Sequence, residues 1–143
     1  MHGKWRTSVE ANASPAFAWN YMTDVANWDD PPATFELYGP FTVGSAGVTR
    51  VPGQESLHWE IRSVNPIESY AIEMALDRAV ISFEWRFERL GDKLTQLTQH
   101  IALAGDNALA YLAHIQSMYT ANLAAGMARI AAAMERSQAT AGH

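Results

Sequence analysis

Apolar and polar residues alternate most cleanly from Ile81 to Glu88, with Ile81, Phe83, Trp85 and Phe87 on one side and Ser82, Glu84, Arg86 and Glu88 on the other. A period of two is that of a strand with one face buried. The same period sets Trp5, Thr7, Val9 and Ala11 against Arg6, Ser8 and Glu10, and sets Leu57, Trp59 and Ile61 against His58, Glu60 and Arg62. It returns in Tyr70, Ile72, Met74 and Leu76, and again in Leu97, Gln99, Ile101 and Leu103. Asn65-Pro66 and Gly91-Asp92-Lys93 supply turns between these runs. Phe35 to Val43 predicts another strand, interrupted by Gly39-Pro40 and closed by Gly44-Ser45-Ala46-Gly47, with Val48 to Val51 as its short return.

Two stretches follow a helical period instead. Ser14 is an N-cap with Pro15 at the first helical position, predicting a helix through Phe17, Trp19 and Met22 to about Asp24. A short second helix fits between Val25 and Trp28, and Asp29-Asp30-Pro31-Pro32 ends the region as a solvated loop. From Asp106 to about Arg136 there is no proline, one glycine (Gly126) and abundant alanine, so one long helix is expected, with Ser137 to His143 frayed. Its stripe runs Leu109, Leu112, Gln116, Tyr119, Leu123, Met127, Ile130 and Met134. A second, wetter stripe of Tyr111, Ile115, Met118 and Asn122 exists only in the N-terminal half, which would face a cavity while the other half packs tightly.

The order is a strand, one or two helices, about six strands with hairpin-length connections, and a long helix. This is one α+β domain: an antiparallel meander curled around the helix. The chain resembles the helix-grip superfamily of START domains, polyketide cyclases/dehydrases, pathogenesis-related plant proteins and heat-shock ATPase activators, the SRPBCC proteins. The likeness covers nearly the whole chain. It rests on Ala13-Ser14-Pro15 leading to Trp19, on Asp24-x-x-x-Trp28, on Gly39-Pro40-Phe41-x-Val43-Gly44 and on His58-Trp59-Glu60-Ile61-x-x-Val64-x-Pro66. Ile81-x-Phe83-Glu84-x-x-Phe87, Thr98, Gly105 and Tyr119-x-x-x-Leu123 complete it. The resemblance implies a helix-grip fold of about seven strands holding an apolar cavity. It carries over a cavity and no particular reaction. Many bacterial members have tryptophan where Tyr119 stands here, and family members often form dimers, so a homodimer is compatible with it.

Composition narrows the partners. Hydrophobic residues make up 48% and charged residues 17%, the balance of a folded domain. The net charge of -5 and the lack of any Lys/Arg run exclude a nucleic-acid backbone as partner. There is no cysteine, no apolar leader and no apolar run long enough to insert in a membrane, so a soluble cytoplasmic protein is expected. Gly39 to Ser45 lacks the lysine of a phosphate loop, and Val43-Gly44-Ser45-Ala46-Gly47 lacks the first glycine of a nucleophile elbow. The histidines at 2, 58, 100, 114 and 143 form no metal-binding pair, so neither metal nor cofactor is expected. His58 and His100 share parity with outward residues, and His114 lies on the flank of the long helix.

The expected use of the cavity is to bind a hydrophobic small molecule, lipid or polyketide-like. Its candidate walls are Trp59, Tyr70, Met74, Phe83, Trp85, Phe87 and Ile101 from the strands, and Leu112, Ile115, Met118 and Tyr119 from the helix. Gln99 is the polar candidate, because it shares parity with Leu97, Ile101 and Leu103; it either orients a ligand or sits hydrated at the mouth. No residue is singled out as catalytic. Two rival readings stand beside this one: a polyketide cyclase/dehydrase-like enzyme, using Gln99, Tyr119 and Tyr70, and an interaction module resembling the heat-shock ATPase activators.

Overall fold

The computed structural model describes residues 3–28 and 33–141, with all of their side chains except those of 114, 117–122 and 140–141. The candidates Met118 and Tyr119, and His114, therefore lie outside the described side chains, and Asp29 to Pro32 outside the described residues. The elements are β1 (Gly3–Ala11), α1 (Pro15–Met22), a 3-10 turn (Val25–Asn27), β2 (Thr34–Tyr38), β3 (Ala46–Arg50), β4 (Leu57–Asn65), β5 (Ser69–Leu76), β6 (Ala79–Gly91), β7 (Leu94–Ala104) and α2 (Ala108–Ala141). The strands form one antiparallel sheet of seven, ordered β1-β7-β6-β5-β4-β3-β2, and α2 runs closest along β1. This is the helix-grip architecture.

Register turns the period-two pattern into rows of side chains across the concave face. One row is Trp5, Ile101, Phe83, Ile72 and Ile61, and the next is Thr7, Gln99, Trp85, Tyr70 and Val64. A third runs Gly3, Leu103, Ile81, Met74, Trp59, Gly47 and Leu37. The irregularity between Ile61 and Ser63 restores inward parity at Val64 after an extra residue, as a bulge does. Outside, the exposed pairs Arg50–Glu36, Arg62–Glu60 and Arg86–Glu84 decorate the convex face and add little stability.

Gly47 explains how Trp59 fits this face. A Cβ there would lie 2.2 Å from Trp59 Cη2, so the indole rests directly on the glycine. The ring has little freedom to move, since Nε1 donates to Thr49 Oγ1 at 3.1 Å and Trp28 stacks against it at 5.5 Å. Gly47→Ala is therefore expected to cost about 1–3 kcal/mol, as overpacking does, and to change the near-ultraviolet circular dichroism of the displaced indole. A stability within about 0.5 kcal/mol of the parent would mean that the ring swings aside freely.

Four local expectations are corrected. Strand pairing stops at Tyr38, and residues 39–45 form a loop with positive φ at Gly39 (120°) and Gly44 (94°), leaving Val43 63% exposed. The long helix starts at Ala108 because Gly105, at φ 120°, lets the chain pass over the β5–β6 turn first. Its buried stripe is shifted by one residue in the first turns: Ala108 and Ile115 are buried, whereas Leu109 is 64% exposed and Gln116 is exposed. Nor does the helix fray at Ser137. Glu135 accepts hydrogen bonds from both the backbone N–H and Nδ2 of Asn12, and Gln138 Oε1 accepts from the Ser14 N–H at 2.9 Å, tying the end of α2 to the β1–α1 connection.

Candidate functional site

Two hydrophobic clusters lie under the same sheet. The first joins Trp19 and Met22 of α1 to Tyr70, Phe87 and Leu97 of the sheet and to Met127 and Met134 of α2. The second joins Ile81, Ile101 and Leu103 to Ala108 and Ile115 at the start of α2. Met74 and Leu123 touch both. The C-terminal half of the helix is thus packed into the first cluster through Met127, Ala131 and Met134, and Met74 and Leu123 mark the seam where the two clusters adjoin.

Gln99 occupies the seam. On β7 it stands between Leu97 of the first cluster and Ile101 of the second, with Thr7 and Trp85 as its cross-strand neighbours. It is only 8% exposed, yet its amide makes no hydrogen bond among the described residues. The Trp85 indole N–H and the Tyr70 hydroxyl, in the same row, also have no partner there. No polar side-chain atom of the described residues is both fully sealed and without a partner. A polar group that was both would cost about 1–3 kcal/mol. Burial pushes the Tyr70 hydroxyl well above the ordinary tyrosine value, which keeps its proton on oxygen.

The predicted wall residues divide between these environments. Ile101 and Ile115 are buried in the second cluster, with half-buried Phe83 and Leu112 packed against it. Tyr70, Trp85 and Phe87 belong to the first, where Trp19 meets Phe87 edge-on at 5.4 Å and Tyr70 at 6.1 Å. Trp59 is held in its Gly47 seat, and Met74 keeps accessible surface beside it. Trp5 and Thr7 of β1 were missed as wall candidates. Their parity pointed inward, but only the β1–β7 pairing puts Thr7 next to Gln99. The three rows named above include no carboxylate, imidazole, ammonium or guanidinium group among the described residues; Arg89, at inward parity beside Thr95, lies exposed at the end of the sheet. Nor do the described residues gather a cluster able to hold a metal ion.

A surface groove of about 520 Å³ lies between α1, the 3-10 turn and β2, lined among others by Asp24, Val25, Phe35, Leu37 and Phe41. Leu37 continues the concave row through Gly47 to Trp59, and Phe41 stands edge-on to Tyr70 at 5.0 Å. The groove thus adjoins the core at the aromatic end of the sheet.

Residues 2–135 match the family described as polyketide cyclase / dehydrase and lipid transport. The chain belongs to this family. Among solved structures similar to this family member is the ZhuI aromatase/cyclase from Streptomyces sp. R1128, with a TM-score of 0.75, 19% identity and 95% of each chain covered. Another is a point mutant of norcoclaurine synthase from Thalictrum flavum in complex with a transition-state analogue, with a TM-score of 0.74, 13% identity, and 96% of this chain and 97% of that one covered. A third is the di-domain aromatase/cyclase StfQ of the steffimycin biosynthetic pathway, with a TM-score of 0.74 and 10% identity, where the match spans 98% of this chain and 52% of that one. At these identities the likeness carries the fold. No curated protein sequence matches the chain.

Proposed function

We propose that this family member binds a hydrophobic small molecule, lipid or polyketide-like, between the concave face of the sheet and the N-terminal half of α2. The observation that carries this reading is the seam where two apolar clusters adjoin under one sheet, with a buried amide at Gln99 that has no hydrogen-bond partner among the described residues. Apolar walls with a few placed polar groups are the ordinary make-up of a small-molecule site. Phe83, Met74, Ile101, Leu112 and Ile115 form the walls; Trp59, Tyr70, Trp85 and Phe87 serve as both wall and core. The groove beside β2 supplies a route of entry.

The cyclase/dehydrase reading is the alternative, favoured by the similar structures named as aromatase/cyclases. General acid–base work needs a group of suitable pKa within hydrogen-bond reach of the substrate. The neutral row of Gln99, Trp85 and protonated Tyr70 supports orientation better than proton transfer. An acidic, cysteine-free chain also suits work in the cytoplasm, away from nucleic acid. No helix of the described residues is long and apolar enough to cross a membrane.

Titration with an environment-sensitive naphthalene dye, alongside native mass spectrometry with organic extraction, tests the proposal. A one-to-one dye complex, or a co-purified lipid or polyketide-like molecule, is expected. Met74→Trp, at the junction of the two clusters, should fill the seam, abolish dye binding and shift stability by less than about 1 kcal/mol. A destabilisation of about 1–3 kcal/mol would instead report a seam already filled by side chains. An empty protein that ignores the dye would overturn the binding reading and leave the interaction module in its place.

A further inference from the structure

We infer that the ligand is electrically neutral and carries a hydroxyl or carbonyl group, and that the row Gln99, Trp85 and Tyr70 recognises that group while excluding carboxylates and amines. This rests on the binding site proposed above and specifies the chemistry of its occupant.

The three residues stand at matched register on three adjacent strands, Gln99↔Trp85 and Trp85↔Tyr70. Adjacent strands lie about 4.8 Å apart, so the row spans roughly 10 Å of backbone, about the reach of a small polar head and its first carbons. Gln99 is 8% exposed, Trp85 7% and Tyr70 1%, and none of their side-chain polar groups has a hydrogen-bond partner among the described residues. Together they supply an amide that donates and accepts, an indole that only donates, and a hydroxyl that does both. Donors predominate, which suits an oxygen acceptor, and the amide and hydroxyl oxygens can take the proton of an alcohol.

Charge is what this row cannot accommodate. A carboxylate or ammonium taken into an apolar cleft needs a counter-charge, and without one the transfer is strongly unfavourable. The three rows named above provide none among the described residues, and Arg89, at inward parity two residues beyond Phe87, is exposed at the end of the sheet and paired with Asp92. The nearest charged groups on β1, β6 and β7, namely Arg6, Glu84, Arg86 and His100, have the opposite parity and lie on the convex face. The electrically balanced amide–indole–hydroxyl row thus selects by polarity without charge, and its apolar flanks select by chain.

The experiment is displacement of the naphthalene dye from the full chain by 1-decanol, 2-decanone, decanoate and decylammonium. At pH 7.5 the alcohol and ketone should displace the dye. Decanoate and decylammonium should be weaker by about a hundredfold or more. Decanoate should strengthen as the pH falls through the ligand's own carboxyl titration, because the neutral acid enters. Gln99→Leu should weaken decanol and decanone about tenfold relative to the dye, as loss of one buried hydrogen bond does. Trp85→Phe, which removes only the N–H donor and a little ring area, should weaken the same two ligands and serves if the first variant misfolds. Equal displacement by decanoate or decylammonium overturns the inference while leaving the binding site standing. So does unchanged decanol affinity in both variants. Failure of the dye itself to bind would instead remove the site on which the inference rests.

Discussion

Gly105→Ala is expected to destabilise the protein by about 3–5 kcal/mol, the largest loss from a single methyl group in this chain. Gly105 has φ 120°, a conformation essentially reserved for glycine. The space is also closed: a Cβ would lie 2.7 Å from Ala79 Cα and 2.8 Å from the Arg78 carbonyl oxygen. Both are backbone atoms and cannot rotate away. They belong to the β5–β6 turn, which is fastened to the start of α2 from several sides. The Asn107 N–H donates to the Arg78 carbonyl at 2.9 Å, Asn107 Nδ2 to the Asp77 carbonyl at 3.0 Å, and the Asp77 N–H to Tyr111 Oη at 3.1 Å. Pushing Gly105 away would break this clasp and move the N-terminal half of α2, whose Ala108 and Ile115 pack on Ile81, Ile101 and Leu103. Urea unfolding measures the loss, and Gly44→Ala is the control. Gly44 has φ 94° but nothing within 4 Å of a new Cβ, so only the conformational cost remains, about 1–2 kcal/mol. Equal losses at the two sites would show that contact with the hairpin contributes nothing.

Trp19→Ala should cost about 3–5 kcal/mol by the same measurement. The α1 helix has eight residues, too few to persist without tertiary packing. Its local supports are the Ser14 Oγ cap on the Phe17 N–H at 3.2 Å and, at the far end, the Trp28 Nε1 donation to the Met22 carbonyl at 2.7 Å. Trp19 is the residue that keys it to the sheet, edge-on to both Tyr70 and Phe87. Removing the indole leaves a large void over Tyr70 and opens the first cluster to water, so the Tyr70 hydroxyl should titrate closer to the ordinary tyrosine range. Ultraviolet titration of the variant reads that shift. A loss below about 1 kcal/mol would mean that the cap and the 3-10 turn hold α1 without the indole.

The strands and helices were legible because burial imposes a period. Ile81 to Phe87 must alternate to present one face, and the alanine-rich stretch before Arg136 must wind as a helix. Ser14-Pro15 likewise marked a helix start that the structure bears out. Legibility failed where one contact outweighed the local pattern. Val43 has strand parity but lies in a loop turned by Gly39 and Gly44, and Leu109 fits the helical stripe but is exposed because the neighbouring Ala108 is the residue that meets the sheet. Ser137 and its neighbours resemble a free tail, yet Glu135 and Gln138 fasten them to Asn12 and Ser14, more than 120 residues earlier in the chain.

The same division separates what each level determined about the site. By itself the sequence determined the α+β class and the inward parity of Gln99, Trp85 and Tyr70, because hydrophobic period and propensity are local properties. Only the tertiary structure decided that these three residues share one row, that Thr7 adjoins it and that Gln99 stands between Leu97 of one apolar cluster and Ile101 of the other. Register and strand order join residues far apart in the chain, and a local pattern that leaves a side chain facing inward cannot say what it will face.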